Sequence, residues 1–183
     1  MNLDIATYPD CCMAFGLYEL TTARLIRKLL RPGDHFVDGG ANIGYFTLLA
    51  AKQVGPSGSV SAFEPEPHNR ARLQEHIRIN NIPEGTIQIY SSALANQSGE
   101  ATVYFPLSSD DSNINHGCSS LFQDPESDAI PTRIETVRMD VALSGKSPQL
   151  IKLDIEGAES VAIEGAKDFL CSDEPPALIC EYN

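Results

Sequence analysis

The chain has 183 residues, of which 42% are hydrophobic and 21% are charged, a composition typical of a single globular domain. Its formal net charge of −12 argues against a nucleic-acid partner, because proteins that bind the phosphate backbone carry clustered lysine and arginine. The N-terminus lacks the features of a secretory signal, and no stretch is as long as a membrane span. We therefore expect a cytoplasmic protein with no membrane partner.

The first sixteen residues show no helical or strand period, so we predict an N-terminal arm at 1–16. A helix is predicted from Leu17 until Arg31-Pro32-Gly33-Asp34 ends the pattern. Its apolar positions recur at helical spacing and are expected to face a sheet: Leu17, Leu20, Leu25, Ile26, Leu29 and Leu30.

A strand, a glycine-rich turn and an apolar helix follow at residues 35–54, and together they predict a cradle for a ligand. The strand ends in Asp38, and the turn consists of Gly39, Gly40, Ala41, Asn42, Ile43 and Gly44. Glycine allows positive φ and close approach to a ligand. Because an acid at position 38 would repel the pyrophosphate of a dinucleotide, a cationic ligand is favoured. A tight connection without any ligand is the alternative.

The next strand, residues 59–63, ends at Glu64-Pro65, about twenty residues after Gly44. An acid at this position of a doubly wound fold accepts hydrogen bonds from ribose hydroxyls. The alternative role for Glu64 is stabilisation of the following helix through its dipole. That helix is predicted over 67–80, with Ala71, Leu73 and Ile77 facing inward.

A third strand is predicted over 86–90, and residues 101–105 are predicted to form a hairpin with the segment before them. Residues 106–131 are irregular, and we interpret them as a lid over an acceptor site or as a disordered loop. Later strands are predicted over 132–139, 150–153 and 177–180, with a helix over 160–170.

Strands that alternate with helices predict an α/β fold: a doubly wound, mostly parallel, Rossmann-like sheet with helices on both faces. Four acids follow predicted strands and are therefore expected at one edge of that sheet: Asp38, Glu64, Asp154 and Glu181. Asp154 and Glu156 lie at a strand-to-helix junction, where they are candidates for acid–base chemistry. For Glu159, support of the helix dipole is the preferred role.

The histidines and cysteines do not indicate a metal or disulfide site. The five cysteines include no C-x-x-C pair, and no pair of histidines has the spacing of metal ligands. His35, His68 and His76 are predicted at the surface. Carboxylate oxygens such as those of Asp154 suit Mg²⁺, but no metal site is predicted.

Three motifs together resemble the FkbM family of methyltransferases that depend on S-adenosylmethionine (SAM). They are Val-Asp-Gly-Gly-Ala-Asn-Ile-Gly-Tyr-Phe-Thr at 37–47, Phe-Glu-Pro at 63–65 and Ile-Lys-Leu-Asp-Ile-Glu-Gly-Ala-Glu at 151–159. The resemblance spans residues 16–183 and implies the class I SAM methyltransferase fold. It also implies O-methylation of a hydroxyl on a small molecule or glycan.

The resemblance assigns roles to individual residues of this chain. It implies that SAM contacts Asp38, Gly39, Gly40, Ala41, Asn42, Gly44 and Phe46. It further implies that Glu64 and Pro65 bind the ribose and that Ser92, Ala93 and Leu94 lie beside the adenine. Asp154 would also contact SAM, and Asp154 and Glu156 would lie at the reacting end, where either carboxylate is a candidate base.

We expect residues 1–183 to form one domain that lacks the C-terminal strands of the class I fold. The last strand would then be an exposed edge at which two copies of the chain could associate. Two other functions stay open: a SAM-binding module without activity, and an NAD(P)-dependent oxidoreductase. Asp38, and the lack of a hydride-site Tyr-Lys or His arrangement, disfavour the oxidoreductase.

Overall fold

The computed structural model describes residues 1–106 and 129–181, and its helices and strands lie within those ranges. The helices are α1 (Asp10–Ala14), α2 (Leu20–Leu29), α3 (Tyr45–Val54), α4 (Pro67–Ile79), α5 (Met139–Ala142), α6 (Glu159–Glu164) and α7 (Lys167–Leu170). The strands are β1 (His35–Gly39), β2 (Ser59–Phe63), β3 (Ile87–Tyr90), β4 (Ala93–Leu94), β5 (Gly99–Pro106), β6 (Ala129–Val137), β7 (Leu150–Leu153) and β8 (Ala177–Cys180). Both ends of the predicted loop or lid at 106–131 belong to β5 and β6, and its remainder, 107–128, lies outside the described residues.

Five strands form a parallel sheet in the order β3-β2-β1-β7-β8. The central strand β1 is buried along its whole length, as expected for a parallel strand that is covered on both faces. The strand order reverses at β1, with β2 and β3 on one side and β7 and β8 on the other. The predicted doubly wound α/β sheet is confirmed. A ligand crevice in such a sheet lies at the carboxyl ends of the strands beside this reversal.

The two faces of the sheet carry separate apolar cores. Phe36 of β1 packs with Ile26 of α2 on one face. Its neighbour Val37 packs with Met139 of α5 on the other face. Because adjacent residues of a strand point to opposite faces, helices cover both sides of the sheet, as predicted.

Helix α2 is shorter than predicted, and of the six positions expected to face the sheet only Ile26 and Leu30 are buried. Four residues that were expected to face the core are exposed instead: Leu17, Leu20, Leu25 and Leu29. The buried stripe consists of Ala23 and Ile26, followed by Leu30 just after the helix. This part of the prediction was wrong because the contact with α3 uses a small residue, Ala23, which a count of leucines does not detect.

Helix α4 begins at Pro67, and proline suits this position because the first helical N–H has no partner within the helix. Leu73 is buried and Ile77 is partly buried, as predicted, whereas Ala71 is exposed. His76 is only 1% exposed and His35 only 6%, so the surface position predicted for both histidines was wrong. Each has a hydrogen-bond partner from a distant segment, and such partners leave no local pattern in the sequence.

A second sheet has three strands in the order β4-β6-β5. The prediction that 101–105 pairs with the segment before it was wrong, because β5 pairs antiparallel with β6, which follows it. The preceding strand β4 has only two residues and pairs parallel with β6 instead. The long partner strand of β5 is therefore β6, which follows residues 107–128 in the chain.

The C-terminal part follows the prediction with one change. The helix expected over 160–170 is divided into α6 and α7 near Gly165, where an added Cβ would overlap the carbonyl group of Ala95. Strand β8 lies at the edge of the main sheet, and Leu178 is 38% exposed there. Self-association through this edge stays a prediction. No helix in 1–106 or 129–181 has the length and apolar character needed to cross a membrane.

Candidate functional site

A cleft of about 270 Å³ opens at the carboxyl ends of β1, β2 and β7. Its wall is built by the loops that follow these strands, by the second sheet and by the N-terminal arm. Of the four acids predicted at this edge, Glu64, Asp154 and Glu181 line the cleft. Asp38 is fully buried behind the wall.

The cleft is strongly acidic. Its wall includes five carboxyl side chains, and Lys152 is the basic side chain among the described lining residues. The acids are Glu19, Glu64, Asp154, Glu156 and Glu181. A concave site lined with carboxylates concentrates cations from solution, so the cleft favours a cationic ligand.

The glycines of the β1–α3 loop allow neighbouring parts of the chain to pack closely against the loop. A Cβ on Gly40 would overlap the carbonyl oxygen of Asp154, and one on Gly44 would overlap the side chain of Leu73. Both glycines have positive φ, +77° and +94°. A Cβ on Gly39 would lie 2.7 Å from a methyl carbon of Leu153. The motif therefore lets β1, β7 and α4 pack closely beneath the loop, which is a different reason for glycine than close approach to a ligand.

The structure places the predicted loop residues in two groups. Gly40, Ala41 and Asn42 line the cleft. Gly39 and Gly44 are buried behind them and do not reach its surface. The loop thus presents mainly backbone to the cleft, beside the N-terminus of α3.

Glu64 is held rigidly at the end of β2. It is 5% exposed, and its two carboxylate oxygens accept hydrogen bonds from the backbone N–H of Asn42 (2.8 Å) and Glu66 (2.9 Å). Burial raises the pKa of Glu64 to about 7, although these hydrogen bonds act in the opposite direction. Each oxygen has a further lone pair, so the carboxylate can accept hydrogen bonds from a ligand with two neighbouring hydroxyls.

Beneath the cleft, Asp38, Lys152 and Asp154 form an ion triad. The Lys152 Nζ atom lies 3.5 Å from Asp38 Oδ1 and 3.1 Å from Asp154 Oδ2. The Thr47 hydroxyl donates a hydrogen bond of 2.6 Å to the other oxygen of Asp38. Burial alone would lower the pKa of Lys152, but the two aspartates raise it above its ordinary value, so the ammonium form is retained. Burial raises the pKa of Asp38, and the charge on Lys152 counteracts this.

The exposed end of the triad meets two more acids. Asp154 follows β7 and Glu181 follows β8, and Leu153 and Cys180 are direct partners in that pairing, so the two acids are neighbours. A hydrogen bond with Asp154 raises the pKa of Glu181 to about 7. Burial, followed by the charge on Asp154, raises the pKa of Glu156. The pKa of Glu181 therefore lies near neutral pH, where a carboxyl group can take part in acid–base chemistry.

Most of the other predicted contacts also lie on the wall. Phe46, Pro65, Ala93 and Leu94 line the cleft. Ser92 is buried and does not reach its surface. Phe63 had no predicted role, yet it lines the cleft, and its ring stacks on Tyr90 at 4.4 Å between centroids. These flat and apolar surfaces suit an aromatic ring system.

The N-terminal arm and the residues just after it form one wall of the cleft. Its lining residues are Tyr8, Pro9, Met13, Tyr18 and Glu19. The ring of Tyr18 packs edge-on against Tyr45 at 5.4 Å between centroids. Burial raises the pKa of Tyr18 well above its usual value, so its hydroxyl stays protonated.

Two contacts with α4 hold the arm in place. Asp10 forms an ion pair of 2.6 Å with Arg72. The backbone carbonyl of Asn2 lies 3.1 Å from Nε2 of His76, whose Nδ1 lies 2.7 Å from the carbonyl of Ile43 in the β1–α3 loop. Helix α4 therefore links the arm to the loop beside the cleft.

Lys152 is a further residue of the candidate site that had no predicted role. Its signal was present, because a lysine within a short apolar strand must find an anionic partner.

The described residues include no arrangement of side chains for a metal ion. Within 1–106 and 129–181, no group of three or more His, Cys, Asp or Glu side chains is placed to hold one.

Comparisons with known proteins connect this chain to one family. The family model described as the methyltransferase FkbM domain matches residues 38–183. "Methyltransferase 1" of Beauveria bassiana (strain ARSEF 2860) is 26% identical over 153 residues, which are 75% of this chain and 60% of the relative. "2-O-methyltransferase NoeI" of Sinorhizobium fredii (strain NBRC 101917 / NGR234) is 26% identical over 159 residues, 80% of this chain and 63% of the relative. The chain thus spans less than two thirds of the length of either relative.

A solved structure shows the same fold. The crystal structure of methyltransferase FkbM from Methylobacillus flagellatus KT aligns with a TM-score of 0.52 and 19% identity, covering 84% of this chain and 38% of that chain. Three findings agree: the family match from Asp38 onward, the two relatives, and the shared class I methyltransferase fold. The chain belongs to the FkbM methyltransferase domain family.

Proposed function

We propose that this protein uses SAM to methylate a hydroxyl group on a small molecule or glycan. The observation that carries the proposal is the Glu64 carboxylate, which two backbone N–H groups hold on the wall of an acid-lined cleft. SAM has a ribose diol that can donate to such a carboxylate, and it has two positive centres that suit the acidic wall.

Different residues on the wall would contact different parts of SAM. Glu64, beside Pro65, would accept hydrogen bonds from the ribose hydroxyls, and the loop residues Gly40, Ala41 and Asn42 would border the rest of the ligand. Ala93 and Leu94, with Phe63 and Phe46, offer the apolar surfaces for adenine. Four of the predicted contacts, Asp38, Gly39, Gly44 and Ser92, would shape this wall from behind it.

The reacting end would lie beside Asp154 and Glu156. When bound, SAM supplies a methyl group on a sulfonium, which is already a strong electrophile. What the protein must add is alignment of the acceptor oxygen and removal of the hydroxyl proton. Both carboxyl side chains line the cleft, and the pKa of Glu156 is raised, so either is a candidate base for that proton.

Methylation at oxygen is supported by one named relative and by the polar side chains around the cleft. The relative from Sinorhizobium fredii is named a 2-O-methyltransferase, and this chain spans 63% of its length. Acids and tyrosines around the cleft can hydrogen-bond to hydroxyl groups of an acceptor. A glycan or a hydroxylated small molecule is therefore the proposed acceptor.

Calorimetric titration with SAM, S-adenosylhomocysteine and NAD tests the cofactor. We expect binding of the first two and none of NAD. Glu64→Gln should weaken SAM binding roughly 10- to 100-fold, because it removes a charged hydrogen-bond acceptor. Glu66→Gln is the matched control, since Glu66 bonds to Asn69 and does not line the cleft. A folded protein that binds NAD but not SAM would contradict the proposal.

Transfer of a labelled methyl group from SAM to a panel of glycans and hydroxylated small molecules tests the reaction. Asp154→Asn and Glu156→Gln should each lower turnover more than they lower SAM affinity, the true base by about 100-fold or more. Glu164→Gln, an acid of α6 that bonds to Asn96, should leave both unchanged. Binding of SAM without transfer to any hydroxyl would favour the inactive SAM-binding module.

A further inference from the structure

Lys152 is an anomaly in the main sheet. It lies in β7, whose other residues are all apolar, and only 2% of it is exposed. An apolar side chain would fill this position without loss of hydration, whereas a buried ammonium must be compensated by anionic partners. The lysine therefore points to a role other than packing.

One partner of Lys152 is fixed and sealed from solvent. Asp38 is 0% exposed, and its Cα atom is the direct partner of the Lys152 Cα atom in the β1–β7 pairing. The hydroxyl of Thr47 fixes the remaining oxygen of Asp38. Asp38 cannot touch a ligand in the cleft, so its effect on the cleft passes through the ammonium that it anchors.

The other partner faces the cleft. The side chain of Asp154 is 27% exposed, and its Oδ2 atom lies 3.1 Å from the Lys152 Nζ atom. The Nζ atom also lies 5.1 Å from the centre of the Phe46 ring, which lines the cleft. Lys152 is thus held between a buried acid, an exposed acid and an aromatic face.

Asp154 is surrounded by groups that compete for protons. They come from the segment before α2, from the loop after β7 and from the end of β8: Tyr18, Glu19, Glu156, Cys180 and Glu181. When carboxyl groups share a small space, the first to ionise makes ionisation of the others harder. An ammonium beside one of them decides which acid ionises first.

We propose that Lys152 is a positioning residue whose ammonium, anchored by Asp38, directs Asp154 into the cleft and places the proton that this acid pair shares on Glu181. This inference rests on the proposed function, because it assigns the protonation states at the reacting end of that site. The raised pKa of Glu181 agrees with it. The pair then presents one negative and one neutral carboxyl group to an incoming ligand.

The main test variant combines Asp38→Asn with Lys152→Met. Lys152→Met alone leaves a buried aspartate without its cation and risks a folding defect. The double variant removes both buried charges, and Asn can still accept the hydrogen bond from Thr47. Lys152→Arg keeps the charge, and Lys146→Met is the matched control, because it removes a lysine that contacts Ser61 and Tyr90 instead of the cleft.

The first measurement is an NMR titration of side-chain carboxyl carbons in the ligand-free protein, with signals assigned through Glu181→Gln and Asp154→Asn. In the wild type and in Lys146→Met, Glu181 should keep its proton to higher pH than Asp154. In the double variant the midpoint of Asp154 should rise by about one pH unit, a tenfold change in its proton affinity. Lys152→Arg should restore the wild-type order. An unchanged midpoint of Asp154 in a folded double variant would overturn the inference.

The second measurement is SAM affinity at pH 6, 7 and 8.5 in the same variants. In the double variant SAM affinity should rise at a higher pH than in the wild type. Binding at pH 7 should therefore be weakened by up to about tenfold relative to the wild type. A wild-type protein that shows the expected titration but does not bind SAM would overturn the proposed function alone. Equal affinity profiles in the wild type and the double variant would count against Lys152 as a positioning residue.

Discussion

The two ends of the main sheet both bury polar side chains, but they treat charge in opposite ways. At the amino end, His35 is buried and its Nε2 atom lies 3.0 Å from the hydroxyl oxygen of Ser61. Burial, together with the nearby Lys146, lowers the pKa of His35 to about 4, so the imidazole is neutral at pH 7. At the carboxyl end, the ion triad keeps an ammonium between two aspartates.

The difference teaches where this fold tolerates buried charge. A histidine that sheds its proton is compatible with an apolar interior, whereas a buried ion pair costs several kcal/mol in lost hydration before its attraction is counted. The sheet maintains such a pair only at the end where a cleft opens. Retained charge, more than buried polarity alone, therefore marks the functional end.

The largest expected effect is a loss of packing at the carboxyl end. Gly40→Ala should lower the free energy of unfolding by more than about 4 kcal/mol, because its Cβ would overlap the carbonyl oxygen of Asp154. Gly145→Ala is the matched control, since Gly145 has nearly the same φ (+79° against +77°) but no atom within 4 Å of an added Cβ. It should cost only about 1–2 kcal/mol of backbone strain. Equal losses in urea denaturation would mean that strain, and not contact, sets the requirement for glycine.

The next effect concerns the ion triad itself. Lys152→Met should lower the free energy of unfolding by about 3–5 kcal/mol, because Asp38 would stay buried without a cation. Adding Asp38→Asn should recover most of that loss. Lys146→Met at the amino end should change stability by less than about 1 kcal/mol. If the single and double variants were equally stable in urea denaturation, the buried charges would not be coupled.

A smaller effect is expected from Glu64 as the pH changes. The pKa of Glu64 is about 7 in the folded chain, above its ordinary 4.5, so the folded form holds the proton more tightly. Its contribution to stability is therefore complete below about pH 4.5 and is lost as the pH rises through 7. From pH 5 to 8 the free energy of unfolding should fall by something on the order of 3 kcal/mol from this group. In Glu64→Gln this fall should be absent, and an unchanged slope would contradict the burial of the charge.

The smallest effect belongs to His35 and has the opposite sign. Its pKa is lowered to about 4 from 6.5, so its contribution to stability is complete above pH 6.5 and is lost as the pH falls through 4. The variant His35→Gln lacks this loss. The melting temperature of the variant minus that of the wild type should therefore be a few degrees higher at pH 5 than at pH 7. SAM affinity should not change. A weaker SAM affinity in this variant would mean that the two ends of the main sheet are coupled, which would contradict the comparison.

The sequence predicted the main sheet well because its signals are local. The bounds of β2, β8 and α3 were obtained directly, since each apolar run is closed by a proline, a glycine or an acid. The pairing of β5 was not predicted. Its partner β6 follows residues 107–128, and no local pattern favours β6 over the segment that precedes β5. Local patterns define elements, but pairing between distant segments is decided by the whole fold.

The candidate site was predictable in position and less so in detail. A strand-end acid is visible in the sequence, yet the direction of its side chain is not. Asp38 was expected to contact the ligand and is sealed beneath the cleft, whereas Glu64 and Asp154 reach its wall. The arm at 1–16 was predicted, but the side chains that it contributes to the wall were not, because it has no periodicity and is placed by single contacts such as Asp10 with Arg72.

The arm also separates two parts of the cleft by their history. The family match begins at residue 38, whereas Tyr8, Pro9, Met13, Tyr18 and Glu19 precede it and still line the wall. None of these five residues belongs to the main sheet, its glycine-rich loop or the ion triad. Tyr18 nevertheless packs against Tyr45 and Phe46 of α3, and Phe46 lies beside Lys152. The side of the cleft that the family model does not match is therefore in direct contact with the side that it does match.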